Sequence, residues 1–305
     1  MLGPLVVSSC SFSIPRELLK ADLWRVLRKS VGDRRARLLG RLLICDSKKA
    51  RSKAVGIKHL ERTTLACLKV LGAEPGTVRG VLEALGCDCL ARIDEYPWYE
   101  NIGGHILSVS NADIGVAASA LARDMESNGM RLVGARSCCL DVGHYNRLVD
   151  AVKNKSNVLF TAISQLITEA WEASGEEEVQ MIVDRQGGRM RYRQRLQTMF
   201  PEAELAILKE TETNSSYELH EGERTLRVHF VVGADDKFLA VSLASMVSKY
   251  VRELLVANIN RYFAGFCAEL KPTAGYWKDG QRFIRDLKAY APHVQYESSR
   301  LIRSR

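Results

Sequence analysis

Residues Val179–Gly188 run VQMIVDRQGG: a short, largely apolar segment, then Asp184, then a Gly-Gly loop. A run this short, with Val and Ile and a glycine stop, predicts a buried strand. FVVGADDKF (Phe230–Phe238) repeats the pattern and puts Asp235 and Asp236 just past a second strand. Before the first strand, NKSNVLFTAISQLITEAW (Asn154–Trp171) predicts an amphipathic helix, with Val158, Phe160, Ile163, Leu166, Ile167 and Trp171 sharing much of one face. After the second, LASMVSKYVRELLVANINRYFAGF (Leu243–Phe266) predicts a long helix. Residues Ala203–Gly233 alternate as antiparallel strands. Strands interleaved with helices, plus a hairpin section, predict a mixed α/β domain.

Further out, Leu5–Phe12 and Met130–Cys138 predict strands, and residues 16–30 a helix. Leu42–Cys45 is a short apolar run ending at Asp46. Ser52–Gly72 carries Val55, Leu60, Leu65, Leu68 and Leu71 at near-helical spacing, with Gly72 as its stop. Residues 73–110 are irregular. Asn111–Gly129 predicts a helix capped by Asn111 and ended by Gly129. There is no internal repeat and no low-complexity linker.

The 305 residues are 46% hydrophobic and 26% charged, an ordinary balance for a chain with a sizeable core. No apolar run reaches the about 20 residues that span a bilayer. The opening apolar stretch lacks a basic leader, which argues against export. Eight cysteines without a C-x-x-C pair read as reduced thiols of a cytoplasmic protein. The net charge of +8 favours a polyanionic partner, although many basic proteins bind none.

Acids at the ends of neighbouring strands converge on one rim of a sheet. Asp184 and Asp235, with Asp236 beside them, are therefore candidates for a divalent cation, and Mg²⁺ suits one or two carboxylates plus water and phosphate. The bland alternative is that each acid caps a turn and faces solvent. Asp46-Ser47-Lys48-Lys49 stands at a strand-to-helix turn, where N–H groups, a hydroxyl and two ammoniums could bind phosphate; an Asp N-cap with solvated lysines is the competing reading. LASMVSKY (Leu243–Tyr250) has small residues that permit close packing beneath a site. Tyr276, after a glycine in TAGYWKDGQRF, could stack on a sugar or base. Basic residues cluster at 28–41, 48–53, 185–195 and the C-terminus, and the third cluster follows Asp184 directly.

In this order the segments resemble ribonuclease HII, the type 2 ribonuclease H family. DSKK (Asp46–Lys49) is similar to its DSKKL motif, with Ala50 for Leu. IVD (Ile182–Asp184) matches its strand bearing a catalytic Asp, with Arg185 in place of the usual Gly. GADDKFLAVSLASMVSK (Gly233–Lys249) matches the segment with another catalytic Asp, and spacing back from Ala244-Ser245 selects Asp235. AGYWKD (Ala274–Asp279) resembles the GYPT element, whose Tyr recognises the ribose-to-deoxyribose junction; Trp277 and Lys278 replace Pro-Thr. MLGPLVVSS (Met1–Ser9) matches the second half of the family's opening block.

The resemblance implies a ribonuclease H-like mixed sheet flanked by helices, as a single domain over 1–305. Its core would be about 1–72 and 131–290, with a helical and irregular insertion at 73–130 and a β-hairpin insertion at 189–228. It implies Mg²⁺ or Mn²⁺ on Asp184 and Asp235, with substrate contacts from Gly3, Asp46, Ser47, Lys48, Lys49, Ser245, Lys249 and Tyr276. Arg185 is a candidate phosphate contact from the basic cluster that follows Asp184, with a solvated helix face as the competing reading. The substrate would be an RNA–DNA hybrid or DNA containing ribonucleotides, cut by a metal-dependent endoribonuclease; no membrane and no obligate protein partner is implied. The family's paired Asp-Glu lies ahead of the glycine matched by Gly3, so the expected natural chain begins upstream of Met1. The chain as given is expected to hold half of the family's carboxylates and to be inert or very weak by itself. Asp94-Glu95 offers another acid pair, but it comes after DSKK, and Pro97 follows where the family has glycines. Two alternatives stand beside the nuclease: a non-catalytic hybrid binder on the same fold, and a metal-dependent enzyme on small phosphorylated substrates.

Overall fold

A computed structural model describes residues 1–51, 55–105, 107, 110–175 and 177–304. Ser52–Ala54, at the start of one expected helix, and Lys53 and Arg305 of the basic clusters lie outside the described residues.

The strands are β1 (Leu5–Ser13), β2 (Val31–Gly32), β3 (Leu42–Leu43), β4 (Arg131–Leu140), β5 (Val179–Asp184), β6 (Glu204–Glu210), β7 (Asn214–Glu221) and β8 (Arg224–Val231). The helices are α1 (Leu23–Val26), α2 (Ser47–Ala50), α3 (Lys58–Val70), α4 (Val78–Ala84), α5 (Leu90–Ile93), α6 (Asn111–Ser127), α7 (Val142–Val152), α8 (Lys155–Ala173), α9 (Arg193–Met199), α10 (Leu239–Ala264), α11 (Trp277–Tyr290) and α12 (Ser298–Leu301). The chain is mixed α/β, with helices around several small sheets. The helix expected over residues 16–30 shrinks to a 3-10 turn at Arg16–Leu18 and the single turn α1. Helix α6 is preceded by Ser110 at its N-cap, not capped by Asn111, which is its first helical residue.

The strands do not form one continuous sheet. Among the described residues they make a β1–β4 pair, a β2–β3 pair, and a four-stranded sheet in the order β5-β8-β7-β6. Strands β1 and β5 each pair along one edge only among the described residues, so the ladder is interrupted between them. The stretch 189–228 contributes α9, β6, β7 and the start of β8, and its strands extend the sheet that holds β5.

Strand β1 is packed on both faces, as its period of two requires. Val6, Cys10 and Phe12 face the largest core, while Leu5 and Val7 face the smaller cores on the other side. Its partner β4 carries one extra residue: Ser11 pairs with Gly134 and Phe12 with Leu132, leaving Val133 unmatched and exposed. This bulge turns Leu132 onto the same face as Ala135 and Cys139, all three in the largest core.

The predicted apolar face of α8 exists but serves two cores. Phe160, Ile163, Ile167 and Trp171 pack on β5–β8, whereas Val158 and Leu166 pack on β4 and α7. Helix α10 is apolar on most sides because it is central: Leu243, Met246, Val247, Tyr250, Val251 and Leu255 are buried in the core that also holds α3, α4 and α6. Residues 73–130 thus share a core with α3 and α10. Among the described residues, no helix is long and apolar enough to cross a membrane.

Candidate metal centre and its basic surround

Strands β5 and β8 run parallel, with Asp184 opposite Val231, so both deliver their C-terminal ends to one rim. Beyond Val231 the chain turns at Gly233, whose φ of +61° is the left-handed region that glycine adopts without strain. Asp235 and Asp236 follow in a 3-10 turn that leads into α10. The Ala234 N–H donates to Asp184 Oδ1 at 2.9 Å, tying the end of β5 to this turn.

A third acid comes from elsewhere in the chain. Strand β3 leads through buried Ile44 and Cys45 to Asp46, the N-cap of α2. The Asp46 carboxylate accepts hydrogen bonds from the N–H groups of Lys48 (2.6 Å) and Lys49 (3.2 Å). Those N–H groups are therefore satisfied within the turn rather than offered to a phosphate, as the capping reading of DSKK has it. Carboxylate oxygens of Asp46, Asp235 and Asp236 all lie within 4.8 Å of one another. Oxygen ligands at about 2.0–2.6 Å around one hard cation have this spread, so the donor set fits a divalent ion.

The electrostatics agree. Burial raises the Asp235 carboxyl above the usual carboxylate range, and the negative charges of Asp184, Asp46 and Asp236 push it further. Lys49 Nζ lies 2.6 Å from Asp236 Oδ1, and this pairing raises the ammonium's pKa. The Ser245 hydroxyl donates to the buried Ser47 hydroxyl at 3.0 Å, pinning α2 to α10 beside the acids.

One turn further along α10, Lys249 donates to the Tyr276 hydroxyl at 3.0 Å, and the Arg252 guanidinium sits 4.6 Å from the centre of the Tyr276 ring. Burial pushes the Tyr276 phenol up, but the Lys249 hydrogen bond and the charges of Arg252 and Lys249 bring it below its ordinary value. The ring remains 44% exposed. It is aimed by Gly275 (φ +75°), where a Cβ would stand 2.7 Å from the Leu2 carbonyl oxygen.

The structure thus gathers Asp46, Ser47, Lys49, Asp184, Asp235, Asp236 and Ser245, with Lys249 next along α10 and Tyr276, just before α11, beside it. Lys48 is exposed, and only its backbone N–H reaches the group. Gly3 is buried against Val256 and Ile259, and the neighbouring Leu2 N–H donates to Gly275 at 2.9 Å, so this segment braces the tyrosine loop from behind. Arg185 turns away: its guanidinium donates to the carbonyls of Thr211 and Glu212. Asp94 pairs with Arg79. Sequence reasoning put Asp46 among substrate contacts and passed over Arg252. The signal for Asp46 was present, since an apolar run ending in an acid is the pattern that singled out Asp184. Arg252 follows Ser245 and Lys249 at helical spacing.

No protein-family model, curated protein or solved structure matches the chain.

Proposed function

We propose that this protein is a metal-dependent endoribonuclease of ribonuclease H-like fold, cutting RNA in RNA–DNA hybrids or at ribonucleotides embedded in DNA, in the cytoplasm. The observation that carries this reading is the convergence of acids from three chain segments, ending at Asp46, Asp184 and Asp235–Asp236, beside Lys49, Lys249 and a half-exposed Tyr276. Asp46, Asp235 and Asp236 would hold Mg²⁺ or Mn²⁺, with Asp184 alongside. The bound ion would supply Lewis-acid polarisation of the phosphodiester and a water of lowered pKa.

The chain's own groups do the rest. Asp184 is held at the rim by the Ala234 N–H. Lys249 fixes the hydroxyl of Tyr276 and Arg252 sits against its ring, so the exposed part of the side chain would meet a sugar, where RNA is told from DNA by its 2′-hydroxyl. Hydrolysis adds water across the bond between phosphorus and the 3′ oxygen, giving 3′-hydroxyl and 5′-phosphate ends.

The test is incubation of the chain with a labelled hybrid, and with a duplex holding one ribonucleotide, in Mg²⁺ and in Mn²⁺. Cleavage with those ends is expected, and Asp235→Asn should abolish it while hybrid affinity stays within about twofold. No cleavage of either substrate by the unmodified chain would overturn the proposal. A second reading, a non-catalytic hybrid binder, is favoured by Lys49 Nζ, which already neutralises Asp236 as an internal cation. It predicts salt-dependent hybrid binding without cleavage in either metal.

A further inference from the structure

Arg189 and Arg195 flank the Phe160 ring at 5.9 and 4.9 Å from its centre. Arg189 donates to the Ser156 hydroxyl at 2.9 Å, and Arg195 donates to the Asn157 side-chain oxygen. Both anchors lie in the first turn of the 19-residue helix α8, where the helix dipole is positive. The Ser156 and Asn157 N–H groups are capped by the Asn154 side-chain oxygen, so the free positive charge held here is that of the two guanidiniums. Among the described residues no carboxylate pairs with either arginine. The desolvation of Arg195 and the charge of Arg189 lower the Arg195 pKa, as expected for a cation lacking its counter-charge.

A second observation points the same way. In the loop that leaves Asp184, Arg189 Nη1 is shielded from solvent and, among the described residues, is a donor with no hydrogen-bond partner. A buried polar group left unmatched costs about 1–3 kcal/mol, so such a group calls for a ligand. Arg191 and Arg193 of the same cluster are exposed, and Arg185 has its Nη1 committed to loop carbonyls with its Nε left unmatched.

We propose that Arg189 and Arg195, with Ser156 on the first turn of α8, form a phosphate-binding subsite that takes a non-scissile backbone phosphate of the nucleic acid. Planar guanidiniums fixed on an aromatic ring present donors in a fork that matches phosphate oxygens. The assignment of the phosphate to a nucleic acid rests on the proposed function; the phosphate chemistry does not. A free phosphate ion offers the same oxygens, and the experiment separates the two sources.

Two measurements on the full chain test this, using Arg189→Gln/Arg195→Gln and the charge-keeping Arg189→Lys/Arg195→Lys. First, inorganic phosphate should raise the melting temperature of the unmodified chain and the Lys variant but not the Gln variant. Second, the Gln variant should bind a hybrid about tenfold more weakly near 0.1 M salt, and its log K against log[salt] slope should shrink by about 0.9, the loss of one phosphate contact. The Lys variant should keep the slope. A phosphate response with an unchanged hybrid slope would overturn the nucleic-acid assignment and leave a free-phosphate site. A phosphate response equal in all three proteins would overturn the subsite, even if the chain cleaves hybrids. If the chain neither binds nor cleaves hybrids, the proposed function fails, and the phosphate response alone decides the subsite.

Discussion

Asp235→Asn should stabilise the metal-free protein and destroy its response to metal. The Asp235 carboxylate oxygen lies within 4.8 Å of those of Asp46 and Asp236, and its pKa is raised by burial and by the surrounding charges. Two unit charges at that distance repel by about 3.5 kcal/mol at an effective dielectric of about 20. Water at the half-exposed rim, dissolved salt and Lys49 on Asp236 reduce this to on the order of 1 kcal/mol. An amide of the same shape removes the repulsion, so in EDTA the variant should melt about 2 °C higher. In Mn²⁺ at about one hundred times its dissociation constant, the unmodified chain should gain about 2.7 kcal/mol, which the variant lacks. The order of stability therefore reverses between the two buffers. Thermal unfolding followed by circular dichroism, in EDTA and across a Mn²⁺ titration, reads both limbs. A variant that melts lower in EDTA, or that keeps the full Mn²⁺ shift, would refute the reasoning.

Three other perturbations test the scaffold. Tyr217 is fully buried, with its hydroxyl donating to Glu210 and accepting from the Tyr192 N–H at 2.8 Å; Tyr217→Phe should cost about 1–3 kcal/mol, read as a lower urea midpoint at unchanged slope. Gly3→Ala forces a side chain at φ +77° and puts a Cβ 2.9 Å from Val256, so a loss of about 1–3 kcal/mol is expected; Val256→Ala in the same chain should restore the part due to crowding, and no restoration would show that crowding contributes nothing. Burial pushes the Asp141 carboxyl up, but hydrogen bonds from Tyr96, the His144 N–H and Arg92 outweigh it and hold the pKa below the usual range. Its contribution is then present above the unfolded carboxylate value of about 3.9 and is lost as pH falls through the lower folded value, so urea stability should decline below about pH 4. Asp141→Asn should lower stability at neutral pH and flatten that acid limb; a limb of unchanged depth would assign it to other groups.

The interrupted ladder between β1 and β5 has a visible physical consequence. Val7 on β1 reaches the core of the four-stranded sheet, and Ser8 on the other face bonds to Ser248 of α10 at 3.0 Å. The two sheets are thus aligned by side chains and by α10 rather than by a backbone ladder. The acid rim depends on this, because Asp46 is held beside α10 through the Ser47–Ser245 contact, Asp184 is tied to the turn at Ala234, and Asp235 and Asp236 lie in that turn just before α10.

Local patterns were legible because their causes lie within a few residues. The period of two in β1 and β8, the helical spacing of α3, α8 and α10, and the stop at Gly129 all follow from neighbouring side chains and backbone preference. So did the placing of Asp184, Asp235 and Asp236 just after apolar strands. The sequence by itself therefore determined a mixed α/β chain with strand-end acids. Only the tertiary structure decided that the strands split into separate sheets, that α8 serves two cores, that Asp46 joins Asp235, and that Arg185 turns away while Arg189 and Arg195 are held on Phe160. Each of these depends on which distant segment packs alongside. A carboxylate's partners are set by distances of a few ångströms between residues far apart in the chain, and no local propensity encodes those distances.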